Sequence, residues 1–167
     1  MDKGIFMKGK LLPCLLVIAI FIFAGCSKNE KTSAIELMGA GDRIHDTFTF
    51  ANLGVEIKEK ETNVYEILGS VEKLEDKKIK EEFEIDEEVN NVVAIKISAN
   101  GKEVNKEKVS VKIDGVRNYD AEHFNGTDYT FVILEAVKGK QVSIVVSWNG
   151  EDEVSYVLQF SNNLILK

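Results

Sequence analysis

The feature that most constrains the fold is a two-residue alternation of apolar and polar side chains in the second half of the chain. Such a period places successive side chains on opposite faces of an extended strand, so that one face is buried. A further run, Tyr129–Ala136, is apolar on both faces, which is typical of a central strand. The alternating runs have their apolar residues at Val93, Ile95, Ile97 and Ala99; at Val109, Val111 and Ile113; at Val142, Ile144, Val146 and Trp148; and at Val154, Tyr156, Leu158 and Phe160. Trp148 is therefore predicted to be a core residue.

Turn signals separate these runs. Asn100-Gly101 and Asn149-Gly150 supply the positive φ angles of tight hairpins, and Lys138-Gly139-Lys140 suggests a third hairpin. The only proline, Pro13, lies far upstream, so none interrupts a strand. Short strands with regularly spaced turns predict an all-β fold, an antiparallel β-sandwich of the immunoglobulin-like type.

The pattern is weaker between residues 34 and 92. We predict a first strand at Ala34–Met38, another strand at Asn63–Val71, and a short alternating strand that contains Phe83 and Ile85. The charged stretch Glu72–Glu82 is compatible with a short exposed helix or a long solvated loop, and its charge density favours the loop or a single turn. These elements complete a single β-sandwich domain over residues 34–167.

The N-terminus has the pattern of a secretory signal peptide. Lys3, Lys8 and Lys10 precede an uncharged apolar run of fourteen residues, Leu11–Ala24. This run is shorter than the roughly 20 residues that a membrane-spanning helix needs, and small residues follow it. Residues 1–25 are therefore predicted to form a signal helix that is removed, with either Met1 or Met7 as the true start.

The end of this run, Ala24-Gly25-Cys26, resembles the lipobox of bacterial lipoproteins, with Phe23 in place of the usual leucine. The resemblance implies cleavage between Gly25 and Cys26 and attachment of lipid to the Cys26 thiol. Two acyl chains suffice for durable anchoring, whereas one gives only marginal binding. The expected location is the extracytoplasmic face of the cell membrane. The other cysteine, Cys14, leaves with the signal, so the mature chain has no disulfide.

The mature chain is acidic. Loss of three lysines and one aspartate with the signal shifts the net charge from −7 to −9. Such a charge repels nucleic acid and anionic lipid headgroups, so we exclude nucleic acid as a partner. The polar segment Ser27–Ser33 has nothing to bury, and residues 26–33 are interpreted as the lipidated cysteine and a flexible tether.

A long polar loop, Asp114–Asp128, is the best candidate for contact with a partner, because loops on a rigid sandwich often carry function. Its aspartates and His123 also suggest a calcium site, although their spacing matches no known calcium loop. His45, between Asp42 and Asp46, is interpreted as a surface residue. No metal ligands are assigned. The candidate contact residues are Tyr119, Asp120, Glu122, His123, Phe124 and Asp128.

No catalytic residue and no cofactor is predicted. The chain has no G-x-S-x-G motif, no phosphate-binding glycine loop, and only two histidines to act as a base. The expected function is a membrane-anchored lipoprotein that serves as a binding or assembly module of the cell envelope, with an envelope protein or polysaccharide as partner. The first alternative is a calcium- or small-solute-binding lipoprotein, and an envelope-modifying enzyme is the second.

Overall fold

In a computed structural model of the chain, residues 34–37, 43–45, 48–49, 54–99, 103–119, 129–150 and 152–167 are described. They fall in one unit, Lys31–Lys167, and are mostly β-strand. The elements are β1 Ala34–Leu37, β2 Arg43–His45, β3 Phe48–Thr49, β4 Val55–Glu61, β5 Val64–Val71, α1 Lys77–Glu82, β6 Val92–Ser98, a 3₁₀ turn Lys106–Lys108, β7 Ser110–Asp114, β8 Asn118–Tyr119, β9 Tyr129–Glu135, β10 Gln141–Trp148, β11 Asp152–Phe160 and β12 Ile165–Leu166.

The first sheet has four strands in the order β1-β6-β9-β8, and all of its pairs are antiparallel. The predicted first strand is confirmed, since β1 covers Ala34–Leu37. β9 lies between β6 and β8, which confirms the prediction of a central strand that is apolar on both faces. A separate antiparallel pair joins β2 to β3.

The second sheet has six strands and is mixed, which corrects the purely antiparallel prediction. Its order is β12-β5-β11-β10-β7, with β4 paired to β5. β5 runs parallel to both β11 and β12 but antiparallel to β4. Parallel pairing needs a long crossover between the paired strands, and the whole chain from β6 to β10 separates β5 from β11. The alternation of apolar and polar residues does not indicate whether a strand pairs parallel or antiparallel with its neighbour.

The two sheets pack against each other around one hydrophobic core. β6 contributes Val93, Ile95 and Ile97 from one sheet, and β10 and β11 contribute alternate residues from the other. The predicted alternation is therefore confirmed, and Trp148 is a core residue with an exposed fraction of 6%. Each large aliphatic side chain buried in this way stabilises the fold by about 1.5–3 kcal/mol. The architecture is sandwich-like.

The outer face of the four-stranded sheet is covered by α1 and the segment that follows it. Ile79, Phe83 and Ile85 pack there against Phe131 and the other members of a second apolar cluster. The predicted strand at Phe83 and Ile85 is wrong, because Phe83 caps the C-terminus of α1 and Glu84 has a φ of 51°. For Lys77–Glu82 the short helix, and not the favoured loop or single turn, is what the structure contains, and its Ile79 is buried.

Only one of the three predicted hairpins joins neighbouring strands. β10 and β11 pair directly across Asn149-Gly150, where both residues have positive φ. Lys138-Gly139-Lys140 instead connects β9 to β10, which belong to different sheets. Asn100-Gly101 lies outside the described residues, but the strands on either side of it, β6 and β7, also belong to different sheets. Lys138-Gly139-Lys140 is therefore a crossing between sheets, and the chain between β6 and β7 also connects the two sheets.

Candidate functional site

Most of the site residues predicted from sequence lie outside the described residues. These are Gly25 and Cys26 in the N-terminal segment, and Asp120, Glu122, His123, Phe124 and Asp128 in the candidate loop. Tyr119 is described as the last residue of β8, with an exposed fraction of 9%. Its side chain belongs to the apolar cluster beneath α1. Tyr119 therefore anchors the start of the loop in the fold.

Burial raises the pKa of Tyr119, and interaction with the Arg117 guanidinium acts in the opposite direction. Arg117 also forms an ion pair with Asp86, which follows α1 in the chain. The pKa of Arg117 is raised first by its interaction with Tyr119 and then by Asp86. These contacts join β8 to the segment after α1, so that the base of the candidate loop is fixed to the layer outside the four-stranded sheet.

Strand register shows where the chain re-enters the sheet after the candidate loop. Ala34 pairs with Ser98, and Ser98 pairs with Tyr129, which is the first residue after the loop. Neighbouring strands lie about 4.8 Å apart, so Tyr129 is roughly 10 Å from Ala34 across the sheet. We call this end of the sheet the Ala34 end. The C-terminal end of the loop and the segment that precedes β1 therefore meet the fold at the same end. Tyr119, which pairs with Ile133, lies closer to the opposite end of β9.

The opposite end of the same sheet, called the far end, is formed where Val92 pairs with Glu135. Ser98 is six positions after Val92 along β6, which corresponds to a distance of about 20 Å. Asn91 links three chain segments here. Its side-chain amide donates to the carbonyl oxygens of Val71 (3.2 Å) and Lys167 (3.1 Å), and its own carbonyl accepts from the Ala136 amide (3.0 Å).

A cleft of about 480 Å³ lies beside α1 and reaches the far end. Its volume is within the range of small-molecule sites. The less exposed residues form its floor, and exposed charged residues form its rim. The floor consists of Leu74, Lys80, Ile85 and Asn90, and the rim consists of Lys73, Glu75, Lys77, Glu81, Glu84 and Glu87.

Hydrogen bonds join the floor residues to one another. The Leu74 amide donates to the Asn90 carbonyl at 2.6 Å, and the Ile85 amide donates to the Lys80 carbonyl at 2.8 Å. The Lys80 ammonium donates to the Asn90 side-chain oxygen at 2.8 Å and to the Glu87 carbonyl at 2.9 Å. The floor is therefore pre-formed, with a cation whose partners are both uncharged.

Sequence reasoning missed this cleft because its residues lie in the stretch interpreted as a solvated loop. Two signals could have indicated the helix beside it. Asp76 is a preferred N-cap residue, and its carboxylate accepts from the amides of Lys78 (2.8 Å) and Ile79 (3.3 Å). Ile79 and Phe83 are four residues apart, which places both on one face of a helix.

The part of the chain that the structure describes has neither a metal-binding cluster nor a membrane-spanning helix. In that part, no group of three or more His, Cys, Asp or Glu side chains is arranged to hold a metal ion. Within the same ranges, no helix is long and apolar enough to cross a membrane. The aspartates and His123 of the candidate calcium loop lie outside these ranges, apart from Asp114.

No known protein family, no curated protein and no solved structure shows significant similarity to this chain. A fold alone does not determine a function. The function must therefore be argued from the chemistry of the N-terminal motif and of the cleft.

Proposed function

We propose that the chain is a membrane-anchored extracytoplasmic lipoprotein whose folded part is a binding or assembly module of the cell envelope. The observation that carries the proposal is the sequence Ala24-Gly25-Cys26 at the end of a fourteen-residue apolar run. The first strand of the domain begins only eight residues after Cys26, at Ala34. A lipid on Cys26 would therefore hold the domain close to the bilayer.

The short tether gives the domain an orientation. Ser27–Ser33 has a reach of roughly 15 Å as a flexible coil, so the Ala34 end would face the membrane. The chain returns from the candidate loop to the sheet at that end, whereas the cleft reaches the far end. A net charge of −9 would keep the surface of the domain from lying flat on anionic headgroups. A soluble partner would accordingly meet the far end first.

The proposal includes an immunoglobulin-like sandwich as the finer description of the fold. Two features support it: the two sheets share one core, and the chain crosses from sheet to sheet after β6 and after β9. Crossings of this kind are common in sandwiches of that class. The cleft beside α1 also supports the alternative function as a lipoprotein that binds a small solute. No catalytic role is proposed.

Replacing Cys26 with alanine tests the anchor. In a bacterial host that processes lipoproteins, the wild-type chain should incorporate labelled palmitate and partition into the detergent phase. Cys26→Ala should incorporate no label, because the only thiol of the mature chain is gone. Cys14→Ala is the matched control, since it removes the other thiol from the signal and should leave labelling unchanged. Equal labelling of wild type and Cys26→Ala would contradict the proposal.

A further inference from the structure

We propose that the cleft beside α1 binds a small zwitterionic ligand with an apolar body, of the amino-acid or short-peptide class. The proposal deepens the binding role proposed above by naming a site and a ligand chemistry. It does not depend on the lipid anchor, so the two can fail separately. The floor of the cleft carries a positive charge and its rim a net negative charge.

The floor offers one cation and two apolar side chains. An ammonium group has three N–H donors, and Lys80 uses two of them on the uncharged oxygens of Glu87 and Asn90. Among the described residues, no carboxylate pairs with Lys80. Its third donor and its charge are therefore left for a ligand anion. Leu74, which is half-buried, provides apolar surface beside it, and the buried Ile85 supports the floor from behind.

The rim has the opposite sign. Its four glutamates outweigh Lys73 and Lys77, so that its formal charge is −2. The Lys73 ammonium lies 3.8 Å from a carboxylate oxygen of Glu75, so this pair is neutral and the net charge of −2 comes from the other rim residues. A simple anion would be repelled by this rim on its way to Lys80, and a simple cation would meet Lys80 at the floor. A zwitterion satisfies both charges, with its carboxylate on Lys80 and its ammonium at the rim.

The floor is also rigid enough to select a ligand. Its four residues are tied together by backbone and side-chain hydrogen bonds that span Leu74 to Asn90. Ile85 is buried in the apolar cluster that covers the sheet, which fixes the turn behind Lys80. A pre-formed site loses little conformational entropy when it binds a ligand. A lysine that served only to close this turn would need no second charge sign at the rim.

Calorimetry on the full processed chain in nonionic detergent tests the proposal. The probes are leucine, trileucine, N-acetylleucine and leucinamide. Leucine or trileucine should bind, and the stronger of the two identifies the source as a free amino acid or a peptide. The two blocked derivatives of leucine each lack one charge and should bind at least about tenfold more weakly than leucine, if leucine is the stronger probe. Absence of binding by both leucine and trileucine would overturn the proposal.

Variants of the cleft separate binding from folding. Lys80→Met should weaken binding of the preferred probe at least about tenfold, whereas Lys112→Met, on exposed β7, should leave it unchanged. Glu84→Gln alters only the exposed rim, so its fold should be retained. It should weaken binding of the probe with a free ammonium but should not weaken binding of N-acetylleucine, which has no ammonium to place at the rim. Equal affinities for wild type, Lys80→Met and Glu84→Gln would contradict the assignment, and palmitate labelling would remain as a separate readout of the anchor.

Discussion

A Gly69→Ala variant is expected to lower the free energy of unfolding by about 2–5 kcal/mol, from about 1–2 kcal/mol of backbone strain at positive φ and about 1–3 kcal/mol of steric overlap. This is a large part of the stability of a domain of this size. Gly69 has a φ of 90°, and a Cβ at this position would lie 2.0 Å from the carbonyl oxygen of Gly54. That oxygen accepts a hydrogen bond from the Ser70 amide at 2.8 Å. The methyl group would therefore add backbone strain and force β4 away from β5, since the atoms that it would meet, in Gly54 and Val55, all belong to the backbone.

Gly150→Ala is the matched control for this effect. Gly150 has a φ of 77°, close to that of Gly69, but no atom lies within 4 Å of its Cβ position. The control therefore contains the conformational cost of alanine at positive φ, about 1–2 kcal/mol, without the steric clash. Urea unfolding of the full processed chain measures both variants. Equal losses of stability would show that β4 does not approach Gly69 as closely as the structure indicates.

The strands that sequence predicted best are those with one face in the shared core. In β10 and β11, Ile144 and Tyr156 lie on the buried face while Ser143 and Ser155 are exposed. A half-buried strand must alternate in this way, so the local sequence carries the information. The same reasoning located Trp148 in the core correctly.

Strand partners were not predictable, because alternation fixes the face of a side chain and not the neighbouring strand. The turn at Lys138-Gly139-Lys140 has the composition of a hairpin, yet it joins two sheets. The parallel pairing of β5 with β11 depends on the packing of segments that are far apart in sequence. Likewise, Gly69 was identified only as a member of a strand, and its contact with Gly54 is visible only after β4 has folded back.

The two candidate sites differ in how well they can be predicted from the sequence alone. The anchor at Cys26 depends on a short motif read by other enzymes, so sequence is sufficient to predict it, and it stays a prediction. The cleft depends on how Lys80 and Asn90 come together, ten residues apart, when the segment after α1 folds over the sheet. Its charged residues have the pattern of ordinary solvated surface, because few apolar residues lie between them in the sequence. Only the packing of Ile79 and Phe83 identifies the segment as a layer of the fold.

Replacing Phe83 with alanine should therefore destabilise the domain by about 3–5 kcal/mol, the usual cost of truncating a buried aromatic ring. Phe83 has an exposed fraction of 3%, and its ring meets Phe131 edge to face, with centroids 6.2 Å apart. Lys78→Ala is the matched control on the same helix, because Lys78 is exposed and should change stability by less than about 0.5 kcal/mol.

Phe83→Ala should also weaken ligand binding at the cleft, because loss of the ring loosens the packing beneath Ile85. Urea unfolding gives the stability, and calorimetry with the tighter of leucine and trileucine gives the affinity at a urea-free condition where the variant is folded. A loss of stability below about 1 kcal/mol would mean that α1 is not a layer of the core. In that case the floor of the cleft would have no rigid support, and the selectivity argued from it would fail as well.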